Sequence, residues 1–196
     1  MINKRDKKGK CLALTPRDYC VVSLKTTGLT PSDGEIIRLS AVRYRDLVKT
    51  DSFTTLVKPK MAISEMTVRL TGITNEMVAD APDISPVISD FYSFVQDDII
   101  IGYNLSFDIN YLYDALLECH GIALSNDYVD VMTMSRKALP RFDRRSQSRI
   151  ADHIYISTNS FQQPEKDCEV CNAIYRKLMN NSRITKWVEE NNRDEK

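Results

Sequence analysis

The stretch DYCVVSLKTTGL, residues 18–29, most narrows what this chain can fold into. Residues 18–24 are near-continuously apolar, as in a strand covered on both faces, and a tight Thr-Thr-Gly-Leu loop follows. Near the end of that run, at alternate positions, stand Ser23 and Lys25. Residues i and i+2 of a strand point to one face, so a hydroxyl and an ammonium leave the core strand together.

The order of the remaining elements constrains what covers this strand. EIIRLSAVRYR (35–45) is β-rich and SFTTLVKP (52–59) reads as a third strand stopped by Pro59. Short links predict an antiparallel meander. Helical patterns dominate afterwards. ISEMTVRLTGIT holds a short helix and a turn at Gly72, and Thr74 caps the next. Residues 83–96 place Ile84, Val87, Ile88, Phe91 and Val95 on one helical face. A strand is expected over 97–104, a long helix over 106–121 with Gly121 at its C-terminal cap, then a strand and helix in DYVDVMTMSRKALP. A short helix near 146–153 and a last one over about 164–180, opening at Pro164, complete the pattern. A meander followed by strand–helix alternation is an α/β layer fold with a mixed sheet.

The 196 residues suffice for one domain with a sizeable core. It is expected over 16–181, between a frayed basic leader (1–15) and a polar tail (182–196) whose one aromatic anchor is Trp187. Acids and bases balance at 27 each, so any nucleic acid must be held by a local patch. Five cysteines without framework spacing, no signal-peptide core and no membrane-length apolar run predict a cytoplasmic protein with no membrane contact. The pair Cys168 and Cys171 lacks a second C-x-x-C, so a shared packed face is expected in preference to zinc.

Five segments in order then carry a resemblance: TTGL (26–29), EIIRLSAV (35–42), LTGIT (70–74), NLSFDINYL (104–112) and the spacing Gln162-x-x-x-x-Asp167. Together they resemble the DEDD-type 3′–5′ exonucleases, the DnaQ-like family that includes the epsilon subunit of bacterial DNA polymerase III. The resemblance runs from about Asp18 to Leu178. It implies an RNase H-like fold, a five-stranded mixed sheet flanked by helices. It also implies four carboxylates holding two divalent cations that activate water and stabilise the leaving oxygen.

Carried over position by position, the family's Asp-x-Glu falls on Ser23-Leu24-Lys25, and its catalytic histidine falls on Gln162. Asp108 and Asp167 retain the other two acids, and Tyr103 replaces a histidine often found near the third motif. Gln162 can orient water but cannot take its proton. A positive charge about 4 Å from a divalent cation, at an effective dielectric near 20, is repelled by roughly 8 kcal/mol. Lys25 is therefore expected to sit between Asp108 and Asp167 and neutralise them in place of metal. No catalytic residue set is intact and no cofactor is expected; magnesium or manganese belongs only to the alternative of a weakly active exonuclease.

Three functions remain open on the sequence. The first is a non-catalytic domain that binds a DNA or RNA 3′ end or single strand. It would use Thr26, Thr27, Gly28, Leu29, Asn104 and the basic loop carrying Arg144 and Arg145. The second is a protein-interaction module, and the third an exonuclease with a rearranged metal site. Each retained residue also has a structural role open to it: Asp108 and Asp167 favour helix N-termini, Asn104 can cap, and Gly28 suits a tight turn.

Overall fold

The computed structural model describes residues 5–159 and 164–192. In chain order its strands are β1 Tyr19–Thr26, β2 Ile36–Arg45, β3 Val48–Leu56, β4 Ile100–Gly102 and β5 Tyr128–Asp130. They form one sheet in the order β3-β2-β1-β4-β5. The first three strands pair antiparallel, whereas β1–β4 and β4–β5 are parallel. The expected meander and five-stranded mixed sheet are both present. Asp46 and Leu47, with φ of 49° and 65°, join β2 to β3. Two left-handed residues make a hairpin turn whose twist suits the flanking strands. That turn starts β3 at Val48, earlier than its apolar pattern suggested, because its first five residues are exposed on the sheet's edge and, after Val48, polar.

The helices are α1 Glu65–Thr71, α2 Asn75–Val78, α3 Ile84–Val95, α4 Leu105–His120, α5 Val131–Ala138, α6 Gln147–His153, α7 Lys166–Leu178 and α8 Ser182–Asn191. Gly72 and Gly121 end α1 and α4 in the left-handed conformation, and Thr74 accepts from Met77 N–H as the cap of α2. Alternate residues of β1 feed two cores. Cys20, Val22 and Leu24 pack with α3 and α4. Tyr19 and Val21 pack on the opposite face with residues of α5, α6, α7 and α8. Burying a Leu or Ile side chain is worth about 1.5–3 kcal/mol, so a strand apolar on both faces is what ties these layers together. A third cluster, Ile37, Ile63, Ile73 and Val78, seats α1 and α2.

Both expected chain ends differ from the sequence reading. Arg5 donates twice to Asp114 on α4, at 2.9 and 2.6 Å, and Lys8 reaches Asn110 at 3.2 Å. Leu12 N–H donates to Tyr128 at 2.7 Å and Tyr128 N–H to Lys10 at 2.9 Å. The segment expected to fray thus runs beside β5 and covers backbone groups of an edge that would otherwise be open to pairing. At the other end, residues 182–191 form α8, where the reading expected a polar tail. Ile184 is fully buried, and Trp187 and Val188 pack beside it at i+3 and i+4. Three apolar residues at that spacing suffice for one helical face, although the segment's composition is polar. The last major helix also begins at Lys166, later than the Pro164 start expected. Among the described residues no helix is long and apolar enough to cross a membrane.

Candidate functional site

The C-terminal end of β1 carries the polar face. Tyr19 and Val21 belong to the α7-side core, and strand alternation continues that face through Ser23 and Lys25. Opposite them on β2 stand Ser40 and Arg38, paired in register as Ser23↔Ser40 and Lys25↔Arg38. The first turn of α7 brings Asp167 over this quartet. Lys25 Nζ lies 2.9 Å from Asp167 Oδ2, and Arg38 Nη2 lies 3.1 Å from the same oxygen. Gln147 of α6 donates its Nε2 to the Asp167 carbonyl at 2.7 Å, holding that turn in place.

Lys25 was expected to stand between Asp108 and Asp167; its ion pair is with Asp167, and it acts on Asp108 by charge alone. Sequence reasoning missed Arg38 and Gln147. Arg38 was detectable: in the apolar run of β2, Arg38 and Ser40 break the pattern at alternate positions, as Ser23 and Lys25 do in β1. Gln147 gave no such signal, because a glutamine after a helix cap has ordinary reasons to be there.

Asp108 lies in the first turn of α4 with 7% of its surface exposed. Its Oδ1 accepts the Leu24 N–H at 3.2 Å. Burial pushes its carboxyl up to about 8, against the opposing effects of the Leu24 N–H and the Lys25 charge, while the Asp130 charge adds to the rise. Burial therefore disfavours the charged form of the Asp108 carboxyl. Asp130 has a different task. Its Oδ1 accepts from Asn104 and Met132 N–H, both at 3.0 Å, and its Oδ2 from the Thr133 hydroxyl at 3.0 Å. It thereby caps α5 and ties the start of α4 to the end of β5.

A two-cation centre needs several hard oxygen ligands converging on one point. Here β1 offers a hydroxyl and an ammonium, and Asp167 is already shared by two cationic side chains. Among the described residues no group of three or more His, Cys, Asp or Glu stands together to hold a metal ion. The described residues do not fit the metal pair. Gln162 lies outside the described residues. Neither histidine offers itself as a base in its place: His120 Nε2 bonds the Ser85 carbonyl at 2.9 Å, and His153 stacks on Phe142 at 4.1 Å. Cys168 and Cys171 are buried together in the α7 core, the shared packed face expected of them.

The loop after β1 is built tightly. Thr26 Oγ donates to the Gly28 carbonyl at 2.8 Å, and Thr27 pairs with Glu35 through its N–H at 2.9 Å and its hydroxyl at 2.8 Å. The Tyr111 hydroxyl of α4 bonds the Gly28 and Thr30 carbonyls at 2.9 and 2.7 Å. Gly28 is required by close approach, not by a left-handed conformation. A Cβ there would meet the Asp33 carbonyl oxygen at 2.7 Å and Gly34 Cα at 2.8 Å, and the positive-φ glycines are Gly72 and Gly121. Leu29 follows with 83% of its surface exposed.

Two other expected contacts have different roles. Asn104 makes no side-chain cap; it occupies the left-handed conformation, φ 58°, that turns β4 into α4. Arg145 donates Nη1 to the Leu139 carbonyl at 3.1 Å, and its own carbonyl accepts from Tyr103 Oη at 2.7 Å, so it braces the basic loop. Arg144 is exposed and, among the described residues, has no ion pair.

A family model described as exonuclease, RNase T, matches residues 25–171. The chain is 31% identical over 161 residues to the DNA polymerase III subunit epsilon of Aquifex aeolicus, an alignment covering 82% of this chain and 80% of that one. It is 30% identical over 161 residues to the PolC-type DNA polymerase III of Oceanobacillus iheyensis, of which it spans only 11%. Among solved structures, exonuclease X in complex with 5′ overhanging duplex DNA is similar with a TM-score of 0.69 at 22% identity, over 84% of this chain and 92% of that one. Escherichia coli exonuclease I in complex with a dA16 oligonucleotide gives 0.74 at 14% identity, over 89% of this chain and 43% of that one. Sheet order, motif order and a family match over most of the sequence agree: the chain belongs to the DnaQ-like exonuclease family.

Proposed function

We propose that this domain has left phosphodiester hydrolysis behind and holds the 3′ end or single-stranded portion of a nucleic acid without cutting it. One observation carries the reading: Lys25 and Arg38 share Asp167 Oδ2 in the place where the family assembles carboxylates around metal. A general base contributes about 10²–10⁴ in rate, and a glutamine cannot supply one at residue 162. The substrate loop, by contrast, keeps its form. Thr26–Leu29 is pinned by Tyr111 and presents Leu29 to solvent, where an unstacked base would find an apolar contact. Arg144 adds an exposed cation in the loop before α6, the helix whose Gln147 braces Asp167. Similar structures include exonucleases captured with duplex DNA and with dA16, which supports a nucleic-acid ligand for this cleft.

The test is a 5′-labelled oligonucleotide incubated with manganese, with the native protein beside a Ser23→Asp, Lys25→Glu, Gln162→His triple variant. The reading expects an intact label with the native chain and laddering with the variant. Manganese-dependent degradation by the native chain, abolished by chelator and by Asp108→Ala, would replace it with a working exonuclease.

A further inference from the structure

Residues 136–149 hold six Arg or Lys against one Asp, in a chain whose formal net charge is zero. Arg136, Lys137, Arg141, Arg144 and Arg149 are all exposed, and among the described residues none of them enters an ion pair. A charged loop is ordinarily a solvated tether, but this one is built. Arg145 Nη1 donates to the Ser135 and Leu139 carbonyls at 3.4 and 3.1 Å, which folds the loop back over the end of α5. Phe142 stacks on His153 at the end of α6, with ring centroids 4.1 Å apart, and Ser146 Oγ accepts the Arg149 N–H at 3.4 Å as the cap of α6. The cations therefore stand on a fixed ridge between α5 and α6. One end of that ridge is tied to the cleft by Tyr103, through the Arg145 carbonyl, and by Gln147, through the Asp167 carbonyl. From there α6, seven residues and about 10 Å long, leads away toward His153.

Just past α6, Tyr155 takes up the left-handed conformation, φ 58°, with 91% of its surface exposed. Glycine is the usual left-handed residue after a helix end, and a bulky side chain there strains the backbone. At that exposure the ring offsets none of the strain by packing. Exposed cations beside an exposed aromatic ring make a surface that can track a single-stranded backbone and stack its bases.

We propose that the α5–α6 ridge, with Tyr155 as its stacking platform, is a second contact surface that holds a single-stranded nucleic acid where it leaves the cleft. The ridge rests on the reading of the domain as a nucleic-acid binder, and it extends the ligand from the 3′ end to the nucleotides that precede it. Phosphates lie against Arg141, Arg144 and Arg149 by charge-assisted hydrogen bonds that need no metal, and one base lies on the Tyr155 ring. An acidic protein segment would satisfy the cations and leave Tyr155 without a partner. A strand that carries a base with every phosphate satisfies both.

The experiment is fluorescence anisotropy in EDTA across a salt series, with 5′-fluorescein dT12, its RNA counterpart rU12 and a labelled dodeca-glutamate peptide. Native protein is compared with an Arg141→Gln, Arg144→Gln double variant and with Tyr155→Gly, Tyr155→Phe and Leu29→Ala, each melted by circular dichroism. The double variant weakens strand binding about tenfold and lowers the salt slope by about 1.4, the share of two phosphate contacts on a single strand. Tyr155→Gly weakens it at least about fivefold, the low end for one stacked base, while its Tm rises by about 2–4 °C as the backbone strain is released. Tyr155→Phe keeps the ring and binds as native does. A role in folding alone would move affinity and Tm in the same direction, so the opposite signs are what assign Tyr155 to the ligand. Native affinity and salt slope in the double variant, or native affinity in Tyr155→Gly, overturn the ridge; if Leu29→Ala still weakens binding, the nucleic-acid reading stands without it. Dodeca-glutamate bound as tightly as the strands overturns the ridge in favour of an acidic protein segment. Should neither dT12 nor rU12 bind the native protein, the ridge and the nucleic-acid reading fall together.

Discussion

Reversing the charge at residue 25 is the sharpest physical probe of the site. Lys25 Nζ lies 2.9 Å from Asp167 Oδ2, with both side chains about three-tenths exposed. Two unit charges with centres about 4 Å apart attract by roughly 4 kcal/mol at an effective dielectric near 20. Solvent screening and side-chain entropy cut that sharply, and exposed pairs measure about 0.2–1 kcal/mol. For this half-buried pair we take about 1–2 kcal/mol as the cost of Lys25→Met. Arg38 remains at 3.1 Å to hold the carboxylate, so no acid is left unpartnered. Lys25→Glu loses the same attraction and adds a repulsion of similar size, about 2–4 kcal/mol in all.

Thermal unfolding in EDTA measures both variants directly. For a domain of this length each kcal/mol moves Tm by about 2–4 °C, so Lys25→Glu should melt about 4–16 °C below native and Lys25→Met by about half as much. The ratio matters more than either value, because packing loss alone would make the two variants equal. A Lys25→Glu protein melting within about 1 °C of native, or a Lys25→Met protein as damaged as Lys25→Glu, would refute the charge argument.

Further outcomes follow from the same structure. In the Ser23→Asp, Lys25→Glu, Gln162→His variant, manganese at about 100 times its Kd should restore about 2.7 kcal/mol of stability, while the native protein's Tm stays unmoved by manganese in differential scanning calorimetry. Gly28→Ala forces a Cβ against the Asp33 carbonyl oxygen at 2.7 Å, so it should cost about 1–3 kcal/mol and weaken oligonucleotide binding, read by urea melts and anisotropy. Arg5→Ala removes both bonds to Asp114 and should cost about 1–3 kcal/mol, with faster tryptic cleavage near Lys8 and Lys10 as the local readout. A thiol reagent at pH 8 should label exposed Cys11 first. Buried Cys20, whose thiol burial pushes up to about 12, and buried Cys168 and Cys171 should react only after unfolding.

Which parts of this molecule the sequence disclosed depends on the range of the interaction that fixes them. Strand β1 was legible because burial on both faces writes itself into seven consecutive residues, and α3 because a three-turn apolar stripe has one explanation. The loss of the first-strand acids was legible residue by residue once the motif order was recognised. Arg38 was harder, since its importance arises only when the β1–β2 register sets it opposite Lys25. The ends misled for a related reason. Arg5 is held by Asp114, more than a hundred residues away, and α8 hides three apolar contacts in a polar composition. Asn104 and Gly28 reversed the expected logic: the first is needed for its left-handed backbone, the second for a close approach to Gly34. The same long-range dependence explains why Lys25 could be placed on the correct face from sequence but not on the correct acid. Strand alternation decides the face, whereas the choice of Asp167 over Asp108 follows from Gln147 fixing the α7 turn and from burial that disfavours a charge on Asp108. The retained acids of the family pattern have therefore parted roles here, one as the counter-ion of two cations and the other as a buried hydrogen-bond partner for β1.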